Sequence, residues 1–258
     1  LSLRFARLLG CRGRLVVVAM DHGGYAGPIS GLTSIGGVLE RILGEDFDAV
    51  ILCPGAAVKY ASLIGRFRKQ LILRVDGART ALGRGVTKRI SSVRDALRIG
   101  ADAVIAMGYV GCEEERDSLS QLASIATECR EWCVPLIAEM LPMEGGRICT
   151  DPDKIGLAAR IGAEIGADLI KTYYTGSLNT FRRVVEGCFA PIIIAGGPKI
   201  ESARSLLEMV KSAINAGAIG VAFGRNVWQY REPTKMIRAI ARIVYEDADV
   251  EVALKELT

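Results

Sequence analysis

Lys171 ends the apolar run Leu169-Ile170 and leads into Thr172-Tyr173-Tyr174-Thr175-Gly176. A lysine at the end of a buried strand gives up solvation, and its pKa can fall from ~10.4 toward ~7 to 8, which leaves a nucleophilic amine at neutral pH. Such an amine attacks a substrate ketone. The iminium that forms is an electron sink, so an adjacent carbon–carbon bond can break to an enamine with no metal ion. From position alone a second reading stays open, in which the lysine only pairs with a carboxylate or a phosphate. Three further clusters stand at the ends of apolar runs: Asp21-His22-Gly23-Gly24, Gly196-Gly197-Pro198-Lys199 and Gly224-Arg225-Asn226. Glycines let the backbone come close to a phosphate, and Arg225 can add a charge-assisted hydrogen bond. The plainer reading of both glycine pairs is two tight turns. Asp21 can orient the amine or shuttle protons, or it can cap a helix or loop. Arg74 and Asp76 are two apart and share a strand face, which suggests an interior ion pair that also shapes the pocket.

His22 is the only histidine among 258 residues. A catalytic zinc site usually takes two or three histidines, and a Ser-His-Asp system needs one at a set position. Metal-dependent aldol chemistry is therefore disfavoured, and neither a metal nor a cofactor is expected. Seven cysteines, an odd number set in apolar segments such as Ile51-Leu52-Cys53, read as reduced thiols rather than a disulfide framework. Cys129 and Cys133 fall four apart on a helix, with no further His or Cys pair beside them to make a metal site. The 33 Lys and Arg against 29 Asp and Glu give a net charge of +4, with the two signs interspersed. That balance predicts no nucleic-acid partner and suits a small anionic substrate. No apolar run reaches the ~18 to 20 residues of a membrane span, and no signal-peptide layout stands at the N-terminus. A cytoplasmic protein without a membrane partner is expected. The chain opens on Leu1 rather than Met, as a sequence with a missing or altered start would.

The elements that must position these groups follow a repeat. Short β-branched runs occupy 15–19, 49–53, 71–75, 103–107, 135–140, 169–172, 191–195 and 220–223. Between them lie segments of helical period, such as 91–100, which opens on serines and closes on glycine. Asp151-Pro152 supplies an N-cap and a first-turn proline for a helix that ends near Gly166-Ala167-Asp168. Gly-Ala punctuation recurs at Gly100-Ala101-Asp102 and Gly217-Ala218, each just before a strand. Eight such units over one domain, 1–258, fit an α/β fold of the single (β/α)8 TIM barrel type better than an open doubly wound sheet. Barrel active sites lie at the C-terminal strand ends, where the polar and glycine-rich clusters fall.

Four motifs occur in order across nearly the whole chain: Met20-Asp21-His22-Gly23 with Gly27-Pro28, Ile170-Lys171 with Tyr174-Thr175-Gly176, Ala195-Gly196-Gly197-Pro198-Lys199, and Gly224-Arg225-Asn226-Val227-Trp228-Gln229. In them the sequence resembles the archaeal-type class I fructose-1,6-bisphosphate aldolases and their relatives, including 2-amino-3,7-dideoxy-D-threo-hept-6-ulosonate synthase. The resemblance implies that Lys171 forms a Schiff base, that Asp21 assists proton transfer, and that Gly196, Gly197, Gly224 and Arg225 hold a phosphate, with His22 and Lys199 beside them. It implies a phosphorylated sugar substrate with dihydroxyacetone phosphate as the donor half, and a homo-oligomer, a decamer by that likeness. The same resemblance allows two other reactions, that of the transaldolase-like synthase and that of a phosphosugar thiolase. A barrel that kept the phosphate pocket and lost catalysis is the reading from another class.

One departure matters. The family usually carries a catalytic tyrosine in a Tyr-Pro-Arg-Gly stretch after strand 5, where this chain has Leu141-Pro142-Met143-Glu144. Leucine moves no proton. Glu139 lies two residues earlier and faces the same way, which makes it the candidate acid/base group, with Tyr173 and then His22 behind it.

Overall fold

Runs such as Leu15-Val16-Val17-Val18-Ala19 are apolar at every position because a parallel strand roofed by helices is buried on both faces. The computed structural model of the chain describes residues 2–258, so Leu1 lies outside the described residues. Its main strands are β1 (Leu15–Ala19), β2 (Ala49–Leu52), β3 (Gln70–Arg74), β4 (Ala103–Val110), β5 (Leu136–Glu144), β6 (Leu169–Tyr173), β7 (Ile192–Ala195) and β8 (Gly220–Phe223). Each pairs in parallel with the next, and β8 pairs with β1 through Leu15 and Gly220. The ring is closed, which rules out the open sheet.

Side-chain alternation along each strand makes two cores. Leu15, Val17, Ile51, Ile72, Ile105, Ile137, Leu169 and Ile193 point inward and fill the barrel, with Phe5 and Leu8 of the helix Leu3–Leu9 packed among them. Val16, Val18, Val50, Leu73, Val104, Ile170 and Ile194 point outward to the helices. The helix Val93–Ile99 has the capping box of Ser92 and Asp95 and ends on Gly100 at φ 87°. Asp151 caps Pro152–Ile165 through the N–H groups of Asp153 and Lys154.

The Gly-Ala-Asp punctuation has a structural use. Asp102 and Asp168 of that punctuation, with Asp48 in the equivalent place, each precede an even-numbered strand, and each accepts an N–H from the first or second residue of the strand before it: Val16 at 2.7 Å, Leu71 at 3.0 Å and Leu136 at 2.9 Å. Strands 1 to 6 are thereby tied in pairs at the end remote from the polar clusters.

Two strands run three residues or more past their sequence-based limits. β4 continues to Val110 and β5 to Glu144, and their register runs on through Tyr109 opposite Leu141 and Val110 opposite Pro142. β5 then folds back on Arg147–Ile148 as a short antiparallel ribbon. A second ribbon joins Asp76–Gly77 to Lys88–Arg89.

Candidate active site

Above the apolar layer, the next inward positions of β3, β5 and β6 carry Arg74, Glu139 and Lys171. They are 4 %, 7 % and 5 % exposed, so their charges must be satisfied by one another. Glu139 stands directly opposite Lys171 in the β5–β6 register. Lys171 Nζ donates to Glu139 Oε1 at 2.5 Å, and Arg74 donates to the other oxygen of the same carboxylate. Arg74 also donates to Asp21 Oδ2 at 2.8 Å and to Asp76 Oδ1 at 3.2 Å. Asp76 further accepts from the Thr87 hydroxyl and from the Met107 N–H at 3.0 Å. One guanidinium thus fastens carboxylates from three places on the ring.

Burial opposes the charge on Glu139, but Lys171 and then Arg74 outweigh it and hold its carboxyl down at about 2. Burial also opposes the charge on Asp21, and Arg74 with Lys171 again prevails, so Asp21 titrates below the ordinary carboxylate range. His22 moves the other way: burial favours its neutral form over the pull of Asp21. Its Nδ1 is buried without a hydrogen-bond partner, 3.7 Å from Asp21 Oδ1, and its ring meets Trp228 edge-on at 5.3 Å.

At the ends of β7 and β8 the backbone draws together. Gly197 has φ 64°, the left-handed region that suits glycine. A Cβ on Gly224 would come within 2.5 Å of His22 Cε1, so that position is fixed by packing. Buried Asn226 buckles the two loops, donating to Gly196 O at 2.8 Å and to Pro198 O at 3.3 Å while accepting from Ile200 N–H at 2.7 Å. The guanidinium of Arg225 makes no ion pair among the described residues, and its Nε is buried without a partner. A cavity of about 510 Å³ joins this end to the charge network and is lined by Asp21, Arg74, Glu139, Lys171, Gly196, Gly197, Gly224 and Arg225.

Beyond this geometry, the chain as a whole has relatives among known proteins. The profile of the DeoC/LacD family aldolases matches residues 15–230. The chain belongs to that family. It is 38% identical over 243 residues to the 2-amino-3,7-dideoxy-D-threo-hept-6-ulosonate synthase of Halobacterium salinarum, covering 93% of this chain and 90% of that protein. It is 34% identical over 254 residues to the class 1 fructose-bisphosphate aldolase of Thermoproteus tenax, covering 95% of each. Among solved structures, an archaeal fructose-1,6-bisphosphate aldolase whose catalytic lysine is covalently bound to the carbinolamine intermediate of its substrate superposes with a TM-score of 0.86. The identity there is 33%, over 94% of this chain and 98% of that one.

In this aldolase the structure gathers Lys171, Asp21, Glu139, His22, Gly196, Gly197, Gly224 and Arg225 around one cavity. Lys199 does not join them. The turn at Gly197 and the Asn226 bonds carry the chain outward through Pro198, so Lys199 is exposed and does not line the cavity. Asp21 shares the cavity with Lys171, but its hydrogen bond goes to Arg74. The expected Arg74–Asp76 pair is present, within a larger network. Tyr109, Leu141, Arg79 and Arg147 also line the cavity. Strand parity would have pointed to Tyr109 had β4 been read to its full length.

Proposed function

We propose that this aldolase reversibly cleaves and forms a phosphorylated ketose through an imine on Lys171, with dihydroxyacetone phosphate as the donor half. The observation that carries this reading is the Lys171–Glu139 pair at the barrel mouth, in a cavity that also holds the unpaired Arg225. The phosphate fits the β7–β8 end, where Arg225 supplies charge and the N–H groups around Gly197 and Gly224 supply donors. Fructose 1,6-bisphosphate is the first substrate to try, by likeness to the Thermoproteus tenax enzyme.

Glu139 acts on the proton traffic at the imine. Its low pKa belongs to the state in which Lys171 is charged, and a neutral carbinolamine removes that support and makes Glu139 a better base. Glu139 takes the proton that Lys171 gives up before its amine attacks, and the protonated carboxyl returns it to the hydroxyl that leaves as water when the iminium forms. Asp21, held by Arg74, lies near enough to Lys171 to stabilise iminium charge. The protein works in the cytoplasm as a homo-oligomer in this reading; no helix is long and apolar enough to cross a membrane among the described residues.

Borohydride reduction with dihydroxyacetone phosphate tests the reading. The expected result is a covalent adduct in the intact mass that maps to the peptide bearing Lys171 and is lost in Lys171→Met. An unchanged intact mass for the wild-type chain would overturn it.

A further inference from the structure

We propose that Tyr109, on β4, is the proton donor to the aldehyde oxygen in the carbon–carbon step of this aldolase. The inference rests on the imine reading and on the order of groups around the ring. With phosphate held at β8 and β7 and the imine carbon on β6, the rest of the substrate extends over β5 toward β4 and β3. The reacting aldehyde carbon therefore lies on the β5–β4 side of Lys171.

The proton carriers on that side are few. Both oxygens of Glu139 are engaged, one by Lys171 and one by Arg74. Asp76 is filled by Arg74, Thr87 and the Met107 N–H. Asp21 is bonded to Arg74 and lies beyond it on β1's end. Tyr173 is on Lys171's own strand, and its ring leans to the β7 side, where a Cβ on Gly197 would sit 3.0 Å from its Cε1. Tyr109 differs from all of these. It stands opposite Leu141 in the β4–β5 register, two residues past the Met107–Glu139 pair, and lines the cavity with Lys171. Its hydroxyl donates to Met107 Sδ at 2.8 Å, and a thioether is a weak acceptor that a substrate oxygen readily displaces. Burial raises its pKa, so the phenol carries its proton at neutral pH.

In condensation, the enamine carbon bonds to the aldehyde carbon and the carbonyl π electrons move to oxygen. Tyr109 Oη gives that oxygen its proton, while the enamine nitrogen returns to iminium. The phenolate regains a proton from solvent at the mouth. In cleavage the same steps run backward: the phenol first gives its proton to solvent at the mouth, and the phenolate takes the hydroxyl proton as the bond breaks. Leu141 leaves apolar room beside the phenol, and the phenol reaches the same space from the adjacent strand.

Three proteins test this: wild type, Tyr109→Phe, and Tyr109→Phe with Leu141→Tyr. Each is assayed for the borohydride adduct with dihydroxyacetone phosphate and for condensation with a panel of aldehydes. The expected result is that Tyr109→Phe keeps the adduct, which reports an intact fold and imine, and loses about 10²-fold in condensation turnover. Adding Leu141→Tyr, which returns a phenol from the neighbouring strand, recovers at least about tenfold of that loss. Wild-type turnover in Tyr109→Phe would overturn the proposal, and so would loss of adduct in step with turnover. A wild-type chain that forms no adduct instead sinks the imine reading, and this proposal with it.

Discussion

Glu139 carries two cations at once, so deleting its charge has both a chemical and a structural effect. Glu139→Gln leaves Arg74 and Lys171 buried with one carboxylate fewer. Turnover is expected to fall about 10²-fold or more. Urea unfolding should show a loss of about 3–5 kcal/mol, the usual result of breaking one partner of a buried pair. The pH dependence has a definite sign. The folded pKa of about 2 lies below the ordinary 4.5, so the stabilisation is complete above the ordinary value and disappears as pH falls through the folded one. The stability gap between wild type and Glu139→Gln should therefore narrow as unfolding is measured from about pH 5 down to pH 2. At this scale Lys171, Asp21 and Glu139 could be named from the sequence, because strand parity puts residues two apart on one face. Their partners could not. That Arg74 reaches Asp21 and Glu139 as well as Asp76 depends on which strands adjoin across a closed ring.

The strands and loops were legible where sequence signals agree with backbone need. Ser92, Gly100 and Asp151 all take the capping positions their types suit. The outer ends of β4 and β5 were not, since Gly108 and Pro142 both read as strand breakers. Pro142 lies near the end of β5, and its carbonyl accepts from Cys149 N–H at 2.8 Å in the returning ribbon. The aspartates beneath the barrel give an element-scale prediction. Asp102→Ala strips the Leu71 N–H of its acceptor and should lower stability by about 1.5–3 kcal/mol. The denaturation midpoint checks this, and because Asp102 is remote from the polar end, the borohydride adduct should survive unchanged.

Eight βα units were countable in the sequence because eight short apolar runs alternate with segments of helical period, three of those runs just after a Gly-Ala stop, and a closed ring fits that count. Assembly is another matter, since periodicity describes one chain. Leu157, 55 % exposed, and Arg160 are three apart on one helix, and the Arg160 guanidinium lies 5.1 Å over the ring of Phe189, itself 64 % exposed. Sedimentation equilibrium should return a mass several times the 27.7 kDa of one chain, and the monomer mass would remove the oligomer from the proposed function. Within each barrel, the network at the mouth holds three carboxylates against the cations of Arg74 and Lys171. As an ion pair Lys171 contributes one positive charge, and as an iminium it contributes one as well. The reaction can therefore replace two N–H bonds on that nitrogen by a double bond to carbon, the two hydrogens leaving with the carbonyl oxygen as water, while the net charge beside Glu139 and Arg74 is the same in resting enzyme and iminium.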